Sequence, residues 1–118
     1  MGLTHTKIKV INPADSTKYK DVDFLVDSGA FYSFINAKTL RELGIRPEST
    51  REFILANGKR IARKVGSAKF KFRRKIGAAP VVFGQNGDEN LLGATTLESL
   101  GLMLNPLKRE IDELQLRL

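Results

Sequence analysis

The sequence predicts an all-β fold, mainly short strands closed into a β-barrel with two short helices, in one domain spanning residues 1–118. Three observations support this prediction. Polar and apolar residues alternate over much of the chain, as they do in half-buried strands. The dipeptide Asn57-Gly58 is the strongest short-range signal for a β-hairpin. Only two stretches have helical spacing, and a chain with 42% hydrophobic residues can bury one small core.

The first half of the chain supplies three predicted strands and one helix. The three strands are residues 6–11, 19–26 and 34–35, and residues 12–16 form the turn between the first two. Asn36 is a suitable N-cap for a helix that carries Leu40 and Leu43 on one apolar face. Gly44 ends this helix, and Pro47 prevents it from continuing.

The second half is predicted to contain several more strands and the second helix. The strands are residues 51–56, 59–65 with its continuation 66–72, 80–83 and 102–104. Residues 91–93 are predicted to enter the core again. Thr95 or Thr96 is expected to cap the second helix, which ends by Gly101. In the tail, apolar residues alternate with polar ones, which predicts an edge strand with one apolar face formed by Leu114, Leu116 and Leu118.

One polar turn interrupts the most apolar part of the chain. The run Phe24-Leu25-Val26 leads directly into Asp27-Ser28-Gly29-Ala30. A carboxylate at the end of a buried strand is costly unless it is hydrogen-bonded or shares its charge. A serine hydroxyl can hydrogen-bond locally, and a glycine lets the backbone turn sharply and bring its N–H close. The alternative is an ordinary turn at the end of a strand, which the stretch alone does not exclude.

Together with Leu91-Leu92-Gly93 and the helical stretch that follows, this turn resembles a motif pair of the retropepsin-like (retroviral-type) aspartic proteases and their cellular and prokaryotic relatives. Those enzymes carry hydrophobic-Asp-Thr/Ser-Gly-Ala early in the chain, and two hydrophobic residues and a glycine before a short helix near its end. The resemblance extends from about Val22 to Pro106. It implies a retropepsin-like acid protease barrel in which the Asp27 turn and the Gly93 region pack together.

Aspartic protease chemistry uses two carboxylates that share one proton around a water molecule. The ionised carboxylate takes a proton from the attacking water, and the protonated one hydrogen-bonds the peptide carbonyl. This chain has one Asp-Ser-Gly and is too short for two such lobes. The second carboxylate must therefore be Asp27 of an identical subunit, related by a two-fold axis. The resemblance thus implies a homodimeric aspartic endopeptidase with a polypeptide substrate and no cofactor.

The resemblance also assigns roles to the neighbours of Asp27. Ser28 is expected to hydrogen-bond across the axis, and the Gly29 N–H to point at the carboxylates, with Ala30 completing the catalytic loop. Phe31 and Tyr32 stand where the viral enzymes carry acidic residues that hold the substrate backbone. We therefore expect more apolar subsites than in those enzymes.

Two further segments have competing interpretations. Asn57-Gly58 falls where relatives carry a flap that closes over substrate and excludes water, but an ordinary hairpin has the same sequence signature. The tail from Lys108 to Leu118 is a candidate interface strand, because an exposed apolar edge favours pairing. It could equally pack within its own subunit.

The positive charge of the protein is concentrated in one segment. Of the twenty basic residues, nine lie between Lys59 and Lys75, leaving eleven basic and thirteen acidic residues elsewhere. Residues 69–75 interleave aromatic rings with cations, as in a β-barrel that binds single-stranded nucleic acid. The alternative is that Phe70 and Phe72 face the core while the cations are solvated, and the strict alternation favours it. A third candidate is a catalytically silent dimerisation or peptide-binding module.

Several classes of protein are disfavoured by the composition. The chain has no cysteine, so it forms neither a disulfide nor a thiolate metal site. Its single histidine, His5, lies near the N-terminus, which argues against a metal site or a histidine triad. No apolar run is long enough for a membrane span, and no secretory signal pattern begins the chain. We therefore expect a cytoplasmic protein.

Overall fold

The structure, a computed structural model, describes residues 4–105, 107 and 110–113. Within them the chain is mostly β with two short helices, which confirms the predicted class. The elements in chain order are β1 His5–Asn12, β2 Asp15–Val26, β3 Ser33–Asn36, α1 Ala37–Glu42, β4 Ser49–Ile54, β5 Arg60–Phe72, β6 Lys75–Gly84, β7 Leu91–Leu92, α2 Ala94–Ser99, β8 Leu102–Asn105 and β9 Glu110–Glu113.

Seven of these strands form one sheet with the order β1-β2-β7-β3-β6-β5-β4. An additional pairing joins β1 to β5, so the hydrogen-bonded pairings of six strands run round a ring and β4 extends beyond it. The pairs β2–β7 and β3–β6 are parallel, and the other pairs in this sheet are antiparallel. The strands β8 and β9 form a separate two-stranded ribbon.

A single core joins buried side chains of all six ring strands and both helices. Alternation along the strands accounts for this, because Ile8 and Val10 of β1 are buried while the lysines beside them are not. Phe24 of β2 and Phe70 of β5 are fully buried and meet with ring centroids 6.5 Å apart. Burying each of these rings contributes about 1.5–3 kcal/mol to the free energy that favours folding.

The predicted strand at residues 59–65 and its predicted continuation at 66–72 form one strand, β5. Gly66 lies inside this strand, in agreement with the predicted continuation from residue 65 to residue 66. A Cβ atom at Gly66 would lie 2.7 Å from the carbonyl oxygen of Arg46. The glycine therefore permits close approach of another backbone segment, which is a second common reason for glycine in a strand.

The two helices begin in different ways. The Asn36 side chain accepts a hydrogen bond from the Lys38 N–H at 2.9 Å, as predicted for a side-chain cap. The prediction that Thr95 or Thr96 caps α2 is wrong. The N-cap is Gly93, which has no side-chain cap hydrogen bond. The first N–H groups of α2 instead bond to backbone carbonyls of the Asp27 turn, so a capping side chain is not needed.

Part of the predicted tail can be followed. The strand β9 pairs with β8, and Ile111 packs against the core of its own chain. Leu114, Leu116 and Leu118, like Lys108, lie outside the described residues. Neither helix in the described part of the chain is long and apolar enough to cross a membrane.

Candidate active site

Asp27 is the first residue after β2, and its backbone is tied to β7. Its N–H donates to the carbonyl oxygen of Leu92 at 3.0 Å, and its own carbonyl accepts the Ala30 N–H at 3.1 Å. The carboxylate is exposed and accepts a hydrogen bond from the Gly29 N–H at 3.0 Å. Ser28, at the turn, is also exposed. The backbone thus fixes the turn and directs the carboxylate outward.

The Gly93 region packs directly behind this turn. A Cβ atom at Gly93 would lie 2.5 Å from the Tyr32 carbonyl oxygen and 3.0 Å from that of Ala30. Ala94 N–H donates to Ala30 at 2.8 Å. Only glycine lets the two backbones come this close. Leu91 and Leu92 continue the contact by pairing in parallel with the end of β2.

A buried pair of hydroxyls, which the sequence analysis missed, locks the two segments together. The Ser33 and Thr96 side-chain oxygens lie 2.5 Å apart, and both residues are fully buried. Ser33 Oγ also accepts the Gly93 N–H at 2.9 Å. The only signal in the sequence was a serine flanked by aromatic and apolar residues, which is also typical of an ordinary strand. These hydroxyls are structural supports of the turn, because buried polar atoms with partners rigidify their surroundings.

Asp27 opens onto a cleft with a volume of about 730 Å³. The walls come from the turn after Asp27, the β4–β5 hairpin and the loop of residues 85–90. The lining residues are Asp27, Gly29, Ala30, Phe31, Tyr32, Phe34, Phe53, Ile54, Leu55, Ala56, Ile61, Gly87, Asp88, Glu89 and Leu91. The cleft is large enough for several side chains of a peptide.

The Asn57-Gly58 hairpin, predicted from its sequence, forms beside the cleft. Of the two residues, Gly58 has a positive φ, 84°, and Asn57 does not. The Gly58 N–H donates to Leu55 O at 2.8 Å, and the Asn57 side chain accepts the Lys59 N–H at 2.9 Å. This is the three-residue type of hairpin loop, which needs one left-handed residue. No atom lies within 4 Å of a Cβ built at Gly58, so the tip projects into open space.

Aromatic side chains form one wall of the cleft. Tyr32 meets Phe31 and Phe53 edge-on, with centroids 5.6 and 6.0 Å apart, and Phe34 meets Phe53 at 5.6 Å. Phe31 is 76% exposed, an unusual state for a large apolar ring beside a carboxylate. The wall agrees with the expectation that residues 31 and 32 make the site apolar.

An ion pair that the sequence analysis did not predict lies at the edge of the cleft. Arg63 Nε donates to Asp88 Oδ2 at 2.9 Å, and a second guanidinium nitrogen lies 3.4 Å from Oδ1. The Gln85 N–H also donates to this carboxylate, at 2.9 Å. The hydrogen bond from Arg63 lowers the pKa of Asp88, and burial opposes that shift. The two partners are 25 residues apart, so no local pattern links them.

The basic segment follows the alternation of core and solvent. Phe70 is fully buried, and Phe72 is partly buried beneath the Arg73 guanidinium, 4.8 Å from its ring centroid. Lys69 and Lys71 alternate with these rings. Phe70 is therefore not available to stack on a nucleic-acid base, and the interpretation as a solvated strand face is the better one.

Among the described residues, no group of three or more histidine, cysteine, aspartate or glutamate side chains is arranged to hold a metal ion.

The sequence profile of a protein family described as aspartyl protease matches residues 13–96, well over half of the chain. The match includes the Asp27 turn, the hairpin at residues 57–58 and Gly93. A search among curated proteins found no match.

Proposed function

The chain belongs to an aspartyl protease family of the retropepsin-like type, and from this premise we propose that it is an aspartic endopeptidase that works as a homodimer. The observation that carries the proposal is the state of Asp27. Its carboxylate is exposed at the cleft while its backbone is fixed, and the one donor it receives among the described residues is the Gly29 N–H. A carboxylate held in this way is accessible to a second subunit.

In the proposed dimer the two copies of Asp27 approach across a two-fold axis and share one proton. Like charges a few ångströms apart cannot both ionise, so one carboxyl stays protonated where the other is ionised. The ionised group removes a proton from water as the water attacks the peptide carbonyl. The protonated group donates a hydrogen bond to the developing oxyanion. Ser28, exposed beside Asp27, is proposed to bond across the axis, and the Gly29 N–H holds the carboxylate in position.

The surroundings of Asp27 support a polypeptide substrate. The aromatic wall and the exposed Ile54 and Leu55 offer apolar surface along the cleft. We further propose that the hairpin tip at Asn57 and Gly58 acts as a flap, since no atom lies within 4 Å of the Gly58 Cβ position to hold the tip. The ring of strand pairings supports the closed barrel expected for this family.

The test is cleavage of an unfolded protein and of a peptide library, at acidic to neutral pH, with and without pepstatin. Asp27→Asn is compared with Asp23→Asn, because Asp23 is also exposed and lies four residues earlier on β2. We expect the wild type and Asp23→Asn to cleave and Asp27→Asn to be inactive. Equal cleavage by both variants, or no cleavage by the wild type, would contradict the enzymatic proposal and favour a silent peptide-binding module.

Sedimentation tests the shared site. The proposal requires a dimer at micromolar concentration, and specific activity that falls on dilution as dimers dissociate. Full activity of a monomer would contradict the proposed dyad.

A further inference from the structure

Two arginines lie opposite each other on the underside of the β4–β5 hairpin. Arg51 of β4 and Arg63 of β5 are direct cross-strand partners. The next pair on the same face is Phe53 and Ile61, and both of these line the cleft. Like charges directly opposite on neighbouring strands repel, so the pair destabilises an isolated hairpin. Each arginine therefore needs a partner outside the hairpin.

Both partners lie on the walls of the cleft. The Arg51 guanidinium lies 5.8 Å from the ring centroid of Tyr32, in the segment after Asp27. Arg63 forms its two-pronged ion pair with Asp88, in the loop of residues 85–90. The base of the hairpin is thus attached to one wall through Arg51 and to the other through Arg63.

Among the ion pairs of the described residues, that of Arg63 and Asp88 is the most buried. Its side chains are 14% and 20% exposed, whereas those of Arg60 and Glu52 on the same hairpin are 70% and 65% exposed, at 3.5 Å. A largely buried, bidentate ion pair between arginine and carboxylate fixes the relative orientation of the two chain segments that it joins. The Arg60–Glu52 pair stays within the hairpin and joins β5 to β4.

We propose that Arg63 is a positioning residue, which sets the width of the cleft by holding the base of the hairpin to the loop of residues 85–90 through Asp88. The tip at residues 56–58 remains able to move while the base is fixed. This proposal rests on the proposed function, because the cleft must bind a polypeptide for its width to affect binding. Its structural part can be measured without any activity.

The structural measurement is a spin-label distance between the hairpin and the loop. The chain contains no cysteine, so Asn57→Cys and Asn86→Cys, both at exposed positions, give two unique labels. The labelled chain carries Asp27→Asn and is mixed with excess unlabelled chain, so that one labelled subunit is observed at a time. We expect Arg63→Gln and Asp88→Asn to broaden the distance distribution, and Arg60→Gln to leave it unchanged.

The functional measurement uses the chain with Asp27 intact and the same three substitutions. Arg63→Gln and Asp88→Asn are expected to raise KM about tenfold, the effect of losing one hydrogen bond to a charged group, with a smaller change in kcat. Exchange of the two residues, Arg63→Asp with Asp88→Arg, is expected to restore part of the loss. Where no cleavage is seen, the dissociation constant of pepstatin replaces KM.

An unchanged distance distribution in both Arg63→Gln and Asp88→Asn overturns the proposal, whether or not the protein cleaves peptides. A broadened distribution with unchanged KM, or with unchanged pepstatin binding, also overturns it. If Arg63→Gln does not fold, as judged by circular dichroism, Asp88→Asn alone decides both measurements. Absence of cleavage with a broadened distribution and weakened pepstatin binding contradicts the proposed catalysis and leaves the positioning role supported.

Discussion

Asp27 and Asp88 line the same cleft, and the structure holds them in opposite ways. The Asp27 turn is fixed by its backbone, through Leu92, Gly93 and Ala94, and its carboxylate receives the Gly29 N–H. The loop of residues 85–90 is tied at its end by Asn90, which accepts the N–H groups of Leu25 and Asn36. Its middle is held by the Asp88 carboxylate, which accepts hydrogen bonds from Arg63 and from the Gln85 N–H.

The difference separates a structural carboxylate from one that is available for chemistry. The hydrogen-bonding capacity of Asp88 is used within its own chain, and the pairing lowers its pKa, so it remains ionised and attached. Asp27 is held in place by other groups, so its oxygens can meet a second subunit, water or substrate. In this cleft, the residue supported by the backbone is therefore the better catalytic candidate.

The largest effect expected is on activity. Asp27→Asn should lower kcat/KM by about 10³-fold or more, since it removes the proposed acid–base group, whereas Asp88→Asn should lower it about tenfold. Kinetics with a peptide substrate measure both, and thermal unfolding tests whether Asp27→Asn leaves the fold intact. Equal losses for the two substitutions would remove the distinction between the two aspartates.

The second effect is on the free energy of unfolding. It is measured by comparing Gly93, which packs behind the Asp27 turn, with Gly87, which precedes Asp88. Gly93→Ala should lower the free energy of unfolding by about 3 kcal/mol, because the new methyl group meets the Tyr32 carbonyl. Gly87→Ala, beside Asp88, meets no atom within 4 Å and has only the strain of φ +91°, about 1 kcal/mol. Urea unfolding measures both. A larger loss for Gly87→Ala would mean that backbone contact does not fix the Asp27 turn.

The third effect is the part of the pH dependence of stability that comes from Asp88. Because its pKa is lower in the folded state, its contribution to stability is present above the ordinary aspartate pKa and is lost as the pH falls through the lowered value. The stability difference between wild type and Asp88→Asn should thus be largest near neutral pH and shrink in acid, and it should amount to about 1–2 kcal/mol. Urea unfolding at a series of pH values measures it. A difference that grows as the pH falls would contradict the assignment.

The smallest effect is expected for the exposed ion pair of the hairpin. Glu52→Gln should change the free energy of unfolding by less than about 0.5 kcal/mol, because both side chains are mostly solvated. The same unfolding assay measures it, ideally at low and high salt. A loss as large as that of Asp88→Asn would show that burial does not distinguish the two pairs.

Local chemistry predicted most of the strands. Alternation located β1 and β2 because one face of each meets the core, and Asn36 was identified as a cap because its side chain acts within two residues of itself. The strand through Gly66 was predicted, but the close approach of the Arg46 carbonyl to that glycine was not, because alternation carries no information about it. Thr96 was misread as a cap, because the donors at the start of α2 are satisfied by a turn more than sixty residues earlier.

The site was predicted only in part, for a related reason. The pairing of the Asp27 turn with Gly93 came from resemblance to a family, and no periodicity could have supplied it. The contacts of Ser33 with Thr96 and of Arg63 with Asp88 join residues 63 and 25 positions apart. Which of the many hydroxyls and charges meet is decided by the path of the whole chain, so residue type alone does not identify them.

The buried contact between Ser33 and Thr96 has a consequence for how the protein is made. In the described part of the chain, the hydrogen bonds that fix the turn after β2 to residues 92–96 span sixty residues or more, so they cannot form on the ribosome until that later segment has emerged. Closing so long a loop is slow and entropically unfavourable until the rest of the sheet has gathered. A nascent chain therefore has no ordered Asp27 turn until residues 92–96 have emerged, and that turn is among the last parts of this fold to take shape.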